Sequence, residues 1–494
     1  MGNKLSLPVP PSPSLGAFCL ILSPWTKIRL LHAPPEVEAL VLRVANNINT
    51  LRHGFHDMPT PHKDKLGSTQ ITMACNLFTT VRQDKEAAIL GKLLCVELLQ
   101  ELHKLGWDLD LSCRLARYHC NASVLFFRKV STERPGAWVV CVATAKTSWV
   151  SLLNHDQRVR DKVLEAIRES WTEGIQEERE FGLKEHGIKM CGKPWDTDKH
   201  STDDSGVICR LVNKLREINL TLLAGINIDG SRDALFFIQE TSKQSLIAKF
   251  PQKEEFCVIS FVQGNILRMV GCTEMFATVR QVVEGDQYII ELVRGAEGGQ
   301  GLREVVVQGK PWRCAGPQAV RTRQLVCRVG EAMLRAGWLC TSAINNSRRK
   351  DNKSMLLYRR GPPGNARFSC ISPASSDLLY LIDFPPSDQG LLNRAITSHY
   401  PKLAEDLPSE PRCLTFRLEG CPWGQTGGSE LGWALHARSM LLHLLLACRD
   451  LGYMVAGAAD LSSKWMSDEN GDPEYALDVD TIYLFREEGG RSSM

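Results

Sequence analysis

Leu93–Ser112 reads "LLCVELLQELHKLGWDLDLS" and Leu325–Ile344 reads "LVCRVGEAMLRAGWLCTSAI". Each begins with apolar residues at three- and four-residue spacing, as in Leu94, Leu98, Leu102 and Leu105, which places them on one face of a helix. Each then reaches a Gly-Trp pair and continues as a strand. Gly106 and Gly337 suit a helix C-terminus that needs a left-handed residue. A third copy is "MLLHLLLACRDLGYMVAGAADLS" at Met440–Ser462, and a weaker one is "VICRLVNKLREINLTLLAGI" at Val207–Ile226, where Asn219-Leu220 replaces the Gly-aromatic pair. All four are followed by a second strand: "VLFFRK", "ALFFIQE", "MLLYRR" and "IYLFRE". The counterparts Trp107, Leu220, Trp338 and Tyr453 lie 113, 118 and 115 positions apart. So regular a period marks an internal repeat.

Two further elements share the period. A strand, strand and helix read "FCLILSPWTKIRLLHAPPEVEALVLRVANNI", "FCVISFVQGNILRMVGCTEMFATVRQVV" and "FSCISPASSDLLYLIDFPPSDQGLLNRAI", with a looser copy "WVVCVATAKTSWVSLLNHDQRVRDKVLEAI". A strand closed by Gly-x-Pro-Trp ends at Trp195, Trp312 and Trp423, and "TQITMACNLF" occupies that place in the first unit. In order, each unit reads strand, strand, helix, strand, helix, strand, strand. The fold class expected is therefore α+β: four tandem repeats of about 115 residues, each with its helices on a mainly antiparallel sheet.

The units are placed at 16–130, 131–250, 251–362 and 363–488, flanked by tails at 1–15 and 489–494. The joints "VSTERPGA" and "GPPGNA" are as short as hairpins, so adjacent units are expected to share a sheet. "GAEGGQG" at 295–301 is expected to tip a hairpin between two strands, and "WDTDKHSTDDSG" to be a flexible loop.

Composition narrows the function classes. The 494 residues are 43% apolar and 23% charged, as in globular chains, and a net charge of +3 argues against a nucleic-acid partner. Seventeen cysteines, mostly within apolar runs and without a C-x-x-C pair, read as free buried thiols in a reducing compartment. The early apolar run Leu15–Leu22 is too short to span a bilayer, and no basic segment precedes it, so neither a secretory signal nor a membrane span is expected.

No G-x-S-x-G, H-E-x-x-H or Cys-His signature marks a catalytic residue, and no cofactor is expected. What recurs between units is apolar, Gly, Pro or Trp, while most polar positions differ. Trp195, Trp312 and Trp423 are candidates either for ligand stacking or for covering the edge of each core, the second being favoured. His53, His56 and His62 sit near Asp57 and Asp64 in "RHGFHDMPTPHKDK", a weak zinc candidate whose spacing matches no common ligand pattern.

The N-terminus "MGNKLS" fits M-G-x-x-x-[ST], with Gly2 as the myristate acceptor, Ser6 in the expected place and Lys4 adding charge. A Pro/Ser-rich segment follows, which suits an exposed acceptor. One myristoyl chain binds a membrane only marginally, so a second contact is required, for which self-association or a membrane-bound partner is expected. Together these features point to a non-enzymatic scaffold or adaptor on the cytoplasmic side of a membrane, presenting repeated units to protein partners. The alternative is a soluble enzyme or small-ligand binder with a cleft between units.

Overall fold

The computed structural model describes residues 16–488 apart from 24–25, 52–58, 65–66, 79–84, 117–122, 131–133, 135, 146, 196–203, 229–231, 240–255, 286–289, 295–301, 346–351, 404–410, 425–430, 462–464, 467–474 and 477–478. The tails, with Gly2, Lys4 and Ser6, lie outside the described residues, as do His53, His56, the 295–301 segment and most of the 195–206 loop.

Four units follow one another. The first comprises β1 (Ala17–Ser23), β2 (Lys27–Leu31), α1 (Pro35–Thr50), β3 (Thr60–Lys63), β4 (Thr69–Thr72), α2 (Lys85–Lys104), β5 (Trp107–Cys113) and β6 (Val124–Lys129). The second has β7 (Trp138–Ala145), β8 (Trp149–Leu153), α3 (Gln157–Ser170), β9 (Ile175–Glu180), β10 (His186–Met190), α4 (Asp204–Arg216), β11 (Leu220–Asn227) and β12 (Asp233–Gln239). The third has β13 (Phe256–Val262), β14 (Ile266–Val270), α5 (Thr273–Gly285), β15 (Ile290–Arg294), β16 (Leu302–Val307), α6 (Pro317–Arg335), β17 (Trp338–Ile344) and β18 (Asn352–Arg360). The fourth has β19 (Ala366–Ala374), β20 (Leu378–Ile382), α7 (Pro386–His399), β21 (Cys413–Arg417), α8 (Leu431–Asp450) and β22 (Met454–Ala459). It ends with a small β23 (Trp465–Met466) and β24 (Tyr475–Ala476) pair, then β25 (Thr481–Glu487).

Each unit builds its own antiparallel sheet. The orders β3-β4-β2-β1-β6-β5, β9-β10-β8-β7-β12-β11 and β15-β16-β14-β13-β18-β17 are the same order three times, and β21-β20-β19-β25-β22 is, among the described residues, that order less one edge strand. Among the described residues the expected seven-element order thus describes the fourth unit, while the first three add a strand between their helices, which in the third is one of the two strands expected to flank 295–301. The expectation that neighbours share a sheet is corrected: β6 and β7 lie in different sheets, as do β18 and β19. The short joint instead folds back on its own helix end, where Arg134 N donates to Lys104 O and Val130 N to Gly106 O.

Both faces of each sheet are covered. Phe18, Leu20 and Leu22 of β1 pack with α1 and α2, whereas the alternate residues Ala17, Cys19 and Ile21 pack with α7 and α8 of the last unit. The same relation holds around the molecule: α2 lies on β7, α4 on β13, α6 on β19 and α8 on β1. Four apolar cores result, each shared by one unit's helices and the next unit's sheet. This two-sided burial is why strands such as "FCVISFV" are apolar throughout and do not alternate. Because α8 returns to β1, the four units close into a ring.

The strands that follow the long helices meet at the centre. β5 touches β11, β11 touches β17, β17 touches β22, and β22 touches β5. Each carries a register shift at the same place, between Leu109 and Leu111, Leu222 and Ala224, Cys340 and Ser342, and Val455 and Gly457. A β-bulge adds local twist and bends a strand, which lets four sheet edges converge on one axis.

Candidate functional site: the junctions between units

At the end of each central strand, seven residues beyond the repeat's aromatic position, stand Arg114, Asn227, Asn345 and Asp460. Each exchanges two hydrogen bonds with the neighbouring unit's last hairpin. Ser123 N donates to Asn227 O at 2.7 Å, and Asn227 N returns to Ser123 Oγ at 2.9 Å. Asp233 N donates to Asn345 O at 2.8 Å, and Asn345 N to Asp233 Oδ2 at 2.6 Å. Ser354 N donates to Asp460 O at 3.2 Å, and Asp460 N to Ser354 Oγ at 3.0 Å. The closing joint repeats the pattern: Asp480 N donates to Arg114 O at 3.0 Å, and Arg114 N to Asp480 Oδ2 at 2.7 Å. A short oxygen-bearing side chain, Ser or Asp, is what each joint requires, because it must accept from a backbone N–H that has left its sheet.

The closing joint is also the most charged. Arg114 Nη2 lies 2.9 Å from Asp480 Oδ1, and Arg449 of α8 lies 3.5 Å from Asp110 on the β5 bulge. Burial works against a charged Arg114, but Asp480, Asp233 and Asp460 outweigh it and hold the guanidinium charged. Burial pushes Asp233 up to about 6, opposed by Arg114 and by the bond from Asn345, and also raises Asp480. Between the four bulges the axis holds a cavity of only about 50 Å³, lined by residues such as Ser112, Gly225, Ser342 and Gly457. That is room for water molecules and too little for a metabolite.

Two larger clefts share lining positions on the long helices, Leu93 with Gln324 and Glu97 with Arg328. One of about 520 Å³ runs between α1 and α2 and the second unit's Asn154 and Lys184, with Arg43, Glu97 and Glu101 on its walls. Another, about 500 Å³, lies along α6; its described lining residues, Lys310, Gln318, Arg321, Gln324 and Arg328 among them, all belong to the third unit, and Gln324 also reaches Pro411 O of the fourth at 3.2 Å. The correspondence can be followed residue by residue. Gln324 donates to Asp383 Oδ1 at 3.2 Å; its counterpart 115 positions on is Ser439, whose Oγ lies 2.7 Å from His32 Nε2. Asp383, His32 and Asn154 occupy the same turn after the second strand, with φ values of 63°, 57° and 53°.

The fourth-to-first joint is filled by imidazoles. His443, 115 positions after Arg328, stacks on His399 at 3.6 Å between ring centres and meets His32 edge-on at 5.4 Å. Burial, reinforced by His399 and His32, holds His443 down at about 4, and burial first, then His399, lowers His32. At the second-to-third joint the counterpart Arg210 pairs with Glu169, beside Lys214, which pairs with Glu169 at 2.7 Å.

The other sequence candidates are placed as follows. Trp195, Trp312 and Trp423 are buried, and each indole N–H donates to the first hairpin of its own unit: Trp149 O at 3.0 Å, Ile266 O at 3.2 Å and Leu378 O at 2.8 Å. Their backbone N–H groups bond two residues earlier, to Thr147, Gly264 and Ser376. Gly192, Gly309 and Gly420 supply the left-handed turn at φ 68°, 78° and 87°. These tryptophans staple turns. His62 is exposed on the edge strand β3, and among the described residues no group of three His, Cys, Asp or Glu has metal-binding geometry. Sequence reasoning missed the joint residues, although their 113, 118 and 115 spacing was available to find them.

One domain family defined by sequence matches the chain three times in succession, at 138–248, 255–359 and 367–485. The chain belongs to that family. Its matched segments begin at or next to the first strand of the second, third and fourth units, and the first unit, outside them, has the same sheet order. No curated protein and no solved structure matches the chain.

Proposed function

We propose that this protein is a non-enzymatic scaffold: a rigid ring of four repeated α+β units that presents them to protein partners and is held at the cytoplasmic face of a membrane by myristate on Gly2. The observation that carries this reading is the fourfold joint. The polar residues at these in-register positions are engaged in holding unit to unit, which leaves a stiff body of four units. A multivalent body suits a single weak lipid anchor, since avidity supplies the second contact. The motif at Gly2, Lys4 and Ser6 supports the anchor. Cys19, inside β1 and fully buried, offers no second acylation site.

Intact-mass analysis of wild type and Gly2→Ala from cells, with membrane and soluble fractions compared, tests the reading. It predicts a myristoyl mass on the wild type alone and a move to the soluble fraction on substitution. An unmodified N-terminus with unchanged fractionation contradicts it. A second reading, in which a small ligand occupies an inter-unit cleft, is favoured by the roughly 520 Å³ volume between the first and second units.

A further inference from the structure

Residues 302–367 contain fourteen Lys or Arg against three Asp or Glu, while the whole chain carries a net charge of only +3. Three of these cations line one cleft of the third unit, beside the fourth. Lys310 comes from the Gly-Lys-Pro-Trp turn, and Arg321 and Arg328 from α6, and among the described residues no acidic one lines the cleft. Its floor is fixed: Thr322 Oγ1 donates to Pro311 O at 3.2 Å, and the buried Cys314 thiol donates to the same oxygen at 2.8 Å. Asp383 of the fourth unit accepts from Arg412 Nε at 3.0 Å and from Gln324, and its charge also interacts with Arg328. Arg323 of the same helix is spent elsewhere, on Thr481 Oγ1 and Ala319 O.

Internal comparison isolates this joint. At the position of Arg321 the other units have Leu90, Asp203 and His436; at that of Arg328 they have Glu97, Arg210 and His443. The cationic set is therefore complete at one joint of four, and conserving the fold does not require it. A cleft of about 500 Å³ with guanidinium, ammonium and amide donors is matched in size and charge to a phosphorylated small molecule or headgroup.

We propose that this cleft of the third unit, beside the fourth, binds a phosphate group, held by Lys310, Arg321 and Arg328 with Gln318 as a neutral donor. This inference stands apart from the scaffold reading. If the phosphate is a lipid headgroup, the cleft is the second membrane contact that a single myristate lacks; if it belongs to a soluble compound, the ring is a sensor of it.

The test uses the full chain with two probes: pyrophosphate, by calorimetry, and phosphatidylcholine vesicles with or without phosphatidylinositol bisphosphate, by sedimentation. Wild type is expected to bind pyrophosphate with an affinity that falls steeply as salt rises. The exposed-residue variant Lys310→Gln/Arg321→Gln should lose roughly tenfold or more, because charge-assisted bonds are removed. His436→Gln, at the corresponding place of another joint, should leave binding unchanged, and unaltered thermal melting of all variants shows that they fold. Vesicle binding that requires the phosphoinositide and falls with the double variant assigns a headgroup; pyrophosphate binding alone assigns a soluble ligand. No binding to either probe, or binding indifferent to the double variant, overturns the proposal.

Discussion

His443 shows how one position in a repeated frame acquires its own physics. The neutral imidazole is favoured by burial and by its histidine neighbours, so its folded-state pKa of about 4 lies below the ordinary 6.5. As pH falls from 6.5 towards 4, the unfolded chain takes up a proton that the folded ring refuses, and stability is lost across that window. His443→Gln removes the effect. Denaturant unfolding should give a difference between wild type and His443→Gln that grows in favour of wild type from pH 4 to 6.5 and is flat above it. The comparison with the variant is necessary because Asp233 works oppositely: with a folded-state pKa of about 6 against the ordinary 3.8, its burial costs stability as pH rises from 3.8 to 6. Neither residue was legible in the sequence. His443 lies within an apolar helix, and its partners His32 and His399 come from distant segments that only ring closure brings together.

At the scale of single elements, the Gly-x-Pro-Trp turn is the clearest device. It ends the strand before the second helix, and its indole and backbone N–H groups both reach the first hairpin turn. Trp312→Ala should cost about 3–5 kcal/mol, as large aromatic truncations in cores do. Trp312→Phe should cost less, about 1–3 kcal/mol, by leaving Ile266 O without its donor. Urea unfolding measures both, and amide exchange should quicken at Gly264–Ile266 in each.

The paired aromatic and basic ends behave as a unit too: Lys129 lies over Trp107, Arg360 over Trp338 and Arg486 over Tyr453, at 5.1, 4.9 and 4.7 Å. In the second unit both members change together, to Leu220 and Gln239, which face each other across the ladder. Asn219, the replacement for the glycine, still adopts the left-handed conformation at φ 62°. Period, helices, hairpins and these turns were legible because they are local and repeated. The additional strand was legible in the third unit, where the apolar β15 is one of the two strands expected to flank 295–301, and less so in the second: β9, "IQEERE", is polar and largely exposed, with no apolar alternation to mark it.

For the whole molecule, the decisive property is that the last unit packs on the first. α8, the one described helix long and apolar enough to cross a membrane, is spent on this contact, lying between its own sheet and β1. The apolar strands hinted at two-sided burial, but nothing local distinguishes a ring from an open stack, since both bury the same faces at the inner joints. Closure makes the starting unit arbitrary. A permutant that begins in the 240–255 segment and joins residue 488 to residue 16 by a long Gly/Ser linker should fold and unfold cooperatively, with loop entropy its main cost. An open stack would lose its second-to-third joint in that permutant and unfold in two transitions.

The central claim is closure, and the pair Arg114 and Asp480 tests it most directly, because these residues are 366 positions apart and meet only across the closing joint. A double-mutant cycle on unfolding, with Arg114→Ala, Asp480→Ala and both, should give a coupling of at least about 1 kcal/mol, as expected for a largely buried ion pair. Additive losses, equal within about 0.3–0.5 kcal/mol, would mean that the first and fourth units do not touch and that the ring is open.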